Sequence, residues 1–531
     1  MKSILEFIQS SITSDNQESA LSALEELSQI KESDDLFYSC GLISANLGNF
    51  QKSFYYYNKV LELNPSHKQS LFDLGALNFY TGDWDHSIKF GEELISLDPT
   101  YNNILIHVAN TYSYLGNYDT SINYFKKALD YNPYNLTAWS DLFLSLNYIN
   151  IDLDERISLR NKFALLLSNS ANNQIHIKRN HKIKIGYVSS DFRNHAVSYF
   201  IKGLITKHNK EKFDVYFYSL SPIQDDITEV FKNNGNFLDC SKTNTESLVQ
   251  IIKDNDIDIL IDLNGFTQSN RLEVFLNNAA PIQITWLGFL NSLGIPSIKY
   301  KISDKNLIES EYESYYSEDI IKLQNSLVYD PPSKYPNITE IPYDKNGFIT
   351  FGYFNNIRKL NTHVLDIWIE IFKNHNDCKL IMIKSKHSKS NEHFVSYLNS
   401  HGFFNIEFKD ESSLYTLMEN INEVDIALDA FPHSGGATTA HCLWMGVPVL
   451  TIEGKLEFER ISSSISKVVG LDNFICKDEQ DYIQRGSLVD IDQLRYIRSD
   501  LRNRFPNAET VIQELESKLS DIYESYTYED I

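Results

Sequence analysis

At 531 residues the chain is too long for one hydrophobic core, so about two to four domains are expected. A formal net charge of -23 argues against a general nucleic-acid binder, since nothing would offset phosphate repulsion. Five scattered cysteines (Cys40, Cys240, Cys378, Cys442, Cys476) lack zinc or redox spacing and no apolar run reaches membrane-span length, so a soluble, cytoplasmic protein is expected.

The N-terminus carries an apolar stripe at helical spacing, not a signal-peptide core. An internal repeat follows. Gly48, Gly82 and Gly116 lie 34 residues apart, as do Phe50, Trp84 and Tyr118, and Pro65, Pro99 and Pro133. Small residues Gly41, Gly75 and Ala109 share a further phase, and Ser53, Ser87 and Ser121 another. Each unit reads helix, tight turn, helix, proline stop, and resembles the tetratricopeptide repeat. Residues 1–32 read as a degenerate first repeat and 134–170 as capping helices, giving an α-solenoid over 1–170. Such a solenoid presents a surface to proteins, dimerises, or serves as a spacer.

The polar stretch Ser168–His181 reads as a linker. Strands and helices then alternate. Lys182–Ser189, Phe213–Leu220, Ile257–Asn264 and Ile282–Gly288 form one series of expected strands. Gly347–Phe354, Cys378–Ile383, Val424–Leu428 and Val447–Ile452 form a second. Two such series predict two Rossmann-like domains, 180–335 and 340–531, joined through the proline-rich Tyr329–Asp344. Ligands of doubly wound sheets sit at the carboxyl ends of the strands. The loops there hold His195, the Asn356–Lys359 turn and Ser434-Gly435-Gly436. The last of these leads into a helix at Ala437-Thr438-Thr439. Free amides at a helix start, with hydroxyls beside them, suit a diphosphate. Asp254, Asp256 and Asp258 form an acidic cluster before a strand, at the wrong end for a metal motif, and read as a solvated turn.

Five ordered segments carry a resemblance: KIKIGYVSSDFRNHAVSYF, DILIDLNGF, APIQITWLGF, ITFGYFNNIRKL and DIALDAFPHSGGATTAHCLWMGVPVLT. With the repeats, they resemble the O-linked N-acetylglucosamine transferases, particularly the bacterial ones. The resemblance implies an α + α/β chain, a repeat solenoid followed by a GT-B region with the nucleotide sugar held mainly by its second domain. It also implies inverting transfer from UDP-N-acetylglucosamine to Ser or Thr of a protein, with no metal and no cofactor beyond the UDP-sugar donor. By the resemblance His195 and Lys359 are the catalytic pair, His195 positioning and Lys359 on the diphosphate. Asn356, Ser434, Gly435, Gly436, Thr438, Thr439, His441 and Arg460 form the substrate-binding set. His441 stands where the family has a ribose-binding aspartate and Leu417 where it has a histidine near the base. Arg358 replaces a tyrosine, and Ser39, Asp73 and His107 replace the asparagine ladder of the animal repeats. Expected partners are a protein acceptor on the repeats and a nucleotide sugar, not nucleic acid or membrane, with oligomers through the repeats left open. A UDP-glucose-dependent Asn glucosyltransferase, or an interaction protein with a decayed transferase region, are the alternatives.

Overall fold

The computed structural model describes residues 17–30, 32–168, 181–384, 388–410 and 412–529. Residues 1–16 of the expected first repeat and 169–180 of the expected linker lie outside them. The chain forms two compact units, one ending at Ser145 and one beginning at Leu146.

The first unit is built of helix pairs: Asp34–Asn46 with Phe50–Leu63, Lys68–Thr81 with Trp84–Leu97, and Ile104–Tyr114 with Tyr118–Tyr131. The repeat's glycines close each turn at φ of +73° (Gly48), +82° (Gly82) and +75° (Gly116), a region other residues enter at a cost. Its small residues let helices approach: a Cβ on Gly41 would sit 2.6 Å from the Tyr57 ring. Of the three ladder positions Ser39 is buried and Asp73 and His107 are half-buried, each with a partner inside the solenoid. The Ser39 hydroxyl donates to Asp35 O (2.8 Å), Asp73 accepts from Tyr38 (2.9 Å) and Gln69 (3.0 Å), and His107 Nε2 pairs with Ser87 Oγ at 3.1 Å.

The second unit starts with a helix expected to cap the solenoid, Leu153–Leu167. It packs within the αβ unit because its two buried arginines find partners there. Arg160 donates to Tyr315 O, and the Arg156 guanidinium lies 5.1 Å over the Phe458 ring. Two wholly parallel sheets follow. The first holds β1 (Ile183–Ser189), β2 (Phe213–Ser219), β3 (Asn236–Asp239), β4 (Ile259–Asp262), β5 (Ile282–Trp286), β6 (Tyr300–Asp304) and β7 (Asp319–Leu323), in the order 3-2-1-4-5-6-7. The second holds β8 (Ile349–Tyr353), β9 (Cys378–Ile383), β10 (Ile406–Lys409), β11 (Ile426–Leu428), β12 (Val449–Ile452) and β13 (Ile475–Cys476), in the order 10-9-8-11-12-13. Each order reverses once, between β1 and β4 and between β8 and β11. Those are the places where loops diverge and leave a crevice.

All eight expected strands form. Five further strands do not show as apolar runs. β3 and β10 are solvated along their length, and β13 is two residues long. β6 is buried but polar. Its Lys301 is fully buried and pairs at 3.0 Å with the equally buried Glu457, which follows β12 in the second lobe. Ser303 of β6 also donates to Glu457 (2.6 Å). Asp258, read as part of a solvated turn, is instead 2 % exposed, because its carboxylate accepts the Lys184 amide (2.8 Å) and ties β4 to β1. The C-terminal helix Ala508–Glu529 returns to the first lobe, where Glu516 accepts the Asn209 amide at 2.7 Å. Among the described residues no helix is long and apolar enough to cross a membrane.

Candidate functional site

At the switch point of the second sheet, β8 and β11 end side by side. β11 is followed by Asp429, and the glycine loop then leads into the helix Ala437–Trp444. Asp429 is fully buried and organises the loop. Its carboxylate accepts the amides of Gly435 (2.9 and 3.1 Å) and Ala430 (3.0 Å), the Asn355 side-chain amide (3.1 Å) and the Thr451 hydroxyl (2.8 Å). Burial pushes its pKa up, while the Ser462 hydroxyl and the Lys359 ammonium oppose that shift. Asn355, from the loop after β8, also accepts a hydrogen bond from Thr438. A Cβ on Gly435 would collide with the Thr439 hydroxyl and the Asn355 amide, so only glycine fits there.

Lys359 closes the other side. Its Nζ donates to Ser434 O at 2.6 Å. Burial lowers its pKa to about 8, against an opposing pull from Asp429. An ammonium so enclosed is poised for an anion, which would restore the charged form. Gly436, Ala437, Thr438 and Lys359 keep part of their surface open. The first-turn amides of the helix have no intrahelical partners. Together they place a cation and unpaired helix-start donors on one loop, a donor set suited to a diphosphate.

The expected binding set divides at this point. Lys359, Gly436 and Thr438 reach the open face. Asn356 is exposed, and its Oδ1 accepts the Arg358 amide at 3.0 Å, capping the short turn that presents Lys359. The remaining members turn inward, contrary to expectation. The Ser434 hydroxyl donates to Phe458 O (3.0 Å) and accepts the Ile461 (3.0 Å) and Ser462 (3.3 Å) amides. The Gly435 amide is held by Asp429. Thr439 pairs with Ser462 Oγ at 2.7 Å and is 1 % exposed.

His441 requires the sharpest correction. It is 3 % exposed, and its Nδ1 shares a 2.7 Å hydrogen bond with the Tyr329 hydroxyl. Tyr199 and Tyr329 pack edge-on against its ring. Burial lowers its pKa to about 3, so it stays neutral and takes no open ribose-facing position. Leu417 is likewise core. Arg460 is also internal: it donates to Asn306 O (2.7 Å) and Gly454 O (2.7 Å) and pairs with Glu309 (2.7 Å) and Glu453 (2.8 Å), fastening one lobe to the other.

His195 lies at the carboxyl end of the first sheet. Its Nδ1 is 3.3 Å from Asp191 Oδ1, and both border a cavity of about 330 Å³ with Arg193, Thr267 and Gln268. Burial lowers the pKa of His195, and Asp191 opposes that shift. Asn264 donates to Asp191 at 3.3 Å and fixes it against β4. Asp191, Asn355 and Asp429 are site residues outside the expected set. Their signal was position: each follows a buried strand at a switch point. Among the described residues no group of three or more His, Cys, Asp or Glu side chains is placed to hold a metal ion.

Comparison with known families fits this geometry. The glycosyl transferase family 41 model matches residues 155–340 and 338–508, about two thirds of the chain. A tetratricopeptide repeat model matches 35–67 and 103–135. The chain belongs to glycosyl transferase family 41. It is 29 % identical over 399 residues to a protein of Solanum lycopersicum named probable UDP-N-acetylglucosamine--peptide N-acetylglucosaminyltransferase SPINDLY, covering 70 % of this chain and 42 % of that one. The protein of the same name in Eustoma exaltatum subsp. russellianum is 30 % identical over 433 residues, covering 76 % and 46 %. The chain thus spans less than half the length of these relatives. A mutant O-GlcNAc transferase of Thermobaculum terrenum shares the fold over 94 % of this chain and 98 % of its own, with a TM-score of 0.83 and 25 % identity. The fold is therefore a repeat solenoid followed by a GT-B pair of Rossmann-like domains.

Proposed function

We propose that the chain transfers N-acetylglucosamine from UDP-N-acetylglucosamine to a Ser or Thr hydroxyl of a protein acceptor, with inversion and without a metal. The observation that carries this reading is the Lys359 ammonium held at Ser434 O of the glycine loop, which leads into the partly open helix start at Gly436–Thr438. Loss of a nucleoside diphosphate leaves negative charge on the departing phosphate, and fixed donors aimed at it lower the barrier. Lys359 supplies full charge there, and the helix-start amides supply dipoles. The His195–Asp191 pair, at the opposing lobe's crevice, borders a polar cavity suited to an acceptor hydroxyl. The family and the named relatives favour this donor. Turning His441 into the core removes the expected ribose contact without touching the phosphate donors, so a decayed transferase is less favoured. The repeats offer the surface for the acceptor protein.

Mass spectrometry of a co-expressed acceptor, supplied in turn with UDP-N-acetylglucosamine, UDP-glucose and other nucleotide sugars, tests the reading. The expected product carries a Ser- or Thr-linked N-acetylglucosamine, formed equally well with a chelator present. Lys359→Ala should lower the rate by about 10²–10³-fold, the cost of one missing transition-state donor. An Asn-linked hexose would replace this reading with the glucosyltransferase alternative, and no transfer from any donor would sink both.

A further inference from the structure

The six residues 147–152 connect the helix Leu136–Leu146 to the helix Leu153–Leu167 and carry Tyr148. The Tyr148 ring stacks on His433, with centroids 5.1 Å apart and planes 20° from parallel. His433 opens the glycine loop. Its Nδ1 donates to Ser434 O at 3.1 Å, and that same carbonyl accepts the Lys359 ammonium at 2.6 Å. The Phe458 ring also lies against His433, at 5.9 Å. Phe458 O in turn accepts both the amide and the hydroxyl of Ser434, each at 3.0 Å.

Arg156 completes the arrangement. Its guanidinium covers the Phe458 ring at 5.1 Å and donates to Leu146 O (2.5 Å), Ile149 O (3.1 Å) and Asn147 Oδ1 (3.3 Å). One cation thereby fixes the backbone on both sides of Tyr148 and the aromatic ring beneath the loop. Burial and the neighbouring Lys359 hold the His433 pKa well below its usual range. A neutral imidazole whose Nδ1 hydrogen is committed to Ser434 O presents its face to Tyr148 without adding charge beside Lys359. The carbonyl shared by His433 and Lys359 is thus set by a segment that lies outside both sheets.

We propose that Tyr148 is a positioning residue of the phosphate-facing loop, acting through His433 on the Ser434 carbonyl that holds Lys359. Residues 147–156 then support the donor site through the Tyr148–His433 and Arg156–Phe458 contacts. A shift of this segment, which runs on directly from the helix ending at Leu146, would move the ammonium that meets the leaving diphosphate. The inference rests on the transferase reading for its consequence but not for its geometry.

The test compares the full-length protein with Tyr148→Ala and Tyr148→Phe. Amide hydrogen exchange is measured without nucleotide, and uridine diphosphate binding by calorimetry. Tyr148→Ala should speed exchange across 433–440 while leaving the control strand 183–189 and the melting temperature unchanged. It should also weaken uridine diphosphate binding about three- to tenfold, the scale of one aromatic pair. Tyr148→Phe keeps the ring and should match wild type in both measurements. Unchanged exchange and affinity in Tyr148→Ala overturn the proposal. So does faster exchange throughout the unit, which marks a general loss of stability, and so does equal damage from Phe, which assigns the effect to the hydroxyl. Wild-type protein that binds no uridine diphosphate refutes the nucleotide reading, while the exchange comparison still decides the role of Tyr148.

Discussion

Asp429→Asn separates the charge of Asp429 from its shape. An asparagine placed with its oxygen at the Oδ1 position keeps the acceptor for Ala430, Gly435 and Asn355. Its amide then faces Thr451, whose hydroxyl can rotate to accept, and gives up the second, 3.1 Å contact of the Gly435 amide. The hydrogen bonds weaken from charge-assisted to neutral, but a carboxylate buried at a cost is also removed. These terms oppose each other, so stability should change by no more than about 1 kcal/mol. Lys359 has no such compensation. Burial already lowers its pKa to about 8, and Asp429 is the group that opposes the fall. Anion binding needs the ammonium, so wild-type affinity for uridine diphosphate should decline as pH rises through about 8. Without the Asp429 charge that decline moves to lower pH. A further fall of about one unit would cost about twofold in affinity at pH 7 and about fivefold at pH 8, as the charged fraction drops. Calorimetric titrations from pH 6 to 9, with urea unfolding as the stability control, measure both. An alkaline limb that stays at the wild-type position in a stable Asp429→Asn protein would refute the electrostatic coupling of Asp429 to Lys359.

Two other substitutions test the inward-facing residues. His441→Asp should destabilise the protein by about 3 kcal/mol in chemical unfolding, because a carboxylate would be left buried against the Tyr199 and Tyr329 rings. It should not tighten uridine diphosphate binding, and tighter binding would mean that the residue faces the ribose after all. Wild-type affinity should also show no step near pH 6.5 from His441, since burial holds its pKa at about 3. Arg460→Ala should cost about 3 kcal/mol by stranding the carbonyls of Asn306 and Gly454, and Arg460→Lys should recover little, because an ammonium cannot reproduce the planar fork. A loss below about 1 kcal/mol in unfolding would contradict the interlobe role.

Much was legible in the sequence because it depends on local rules. The 34-residue phase places Gly48, Gly82 and Gly116 at left-handed helix ends, a backbone demand that glycine meets wherever the unit sits. Strands buried on both faces, such as β4 and β5, announce themselves as apolar runs. The glycine loop and the helix after it form a local motif, and Lys359 was reached through family resemblance. Strand β6 stayed hidden for the opposite reason. Its buried Lys301 and Ser303 are tolerated only because Glu457, more than 150 residues later, completes them. The direction of a side chain on the helix after the loop was equally out of reach. His441 and Thr438 are three positions apart on one short helix, yet one meets Tyr329 and the other meets Asn355. Which of them faces solvent is set by how that helix packs against residues from other parts of the chain. The sequence alone determined the repeats, the two alternating series and the place of the phosphate-facing loop. Only the tertiary structure decided which of these polar groups reach the surface, because burial and distant partners enclose Ser434, Gly435, Thr439, His441 and Arg460 and leave Lys359 and Thr438 partly exposed.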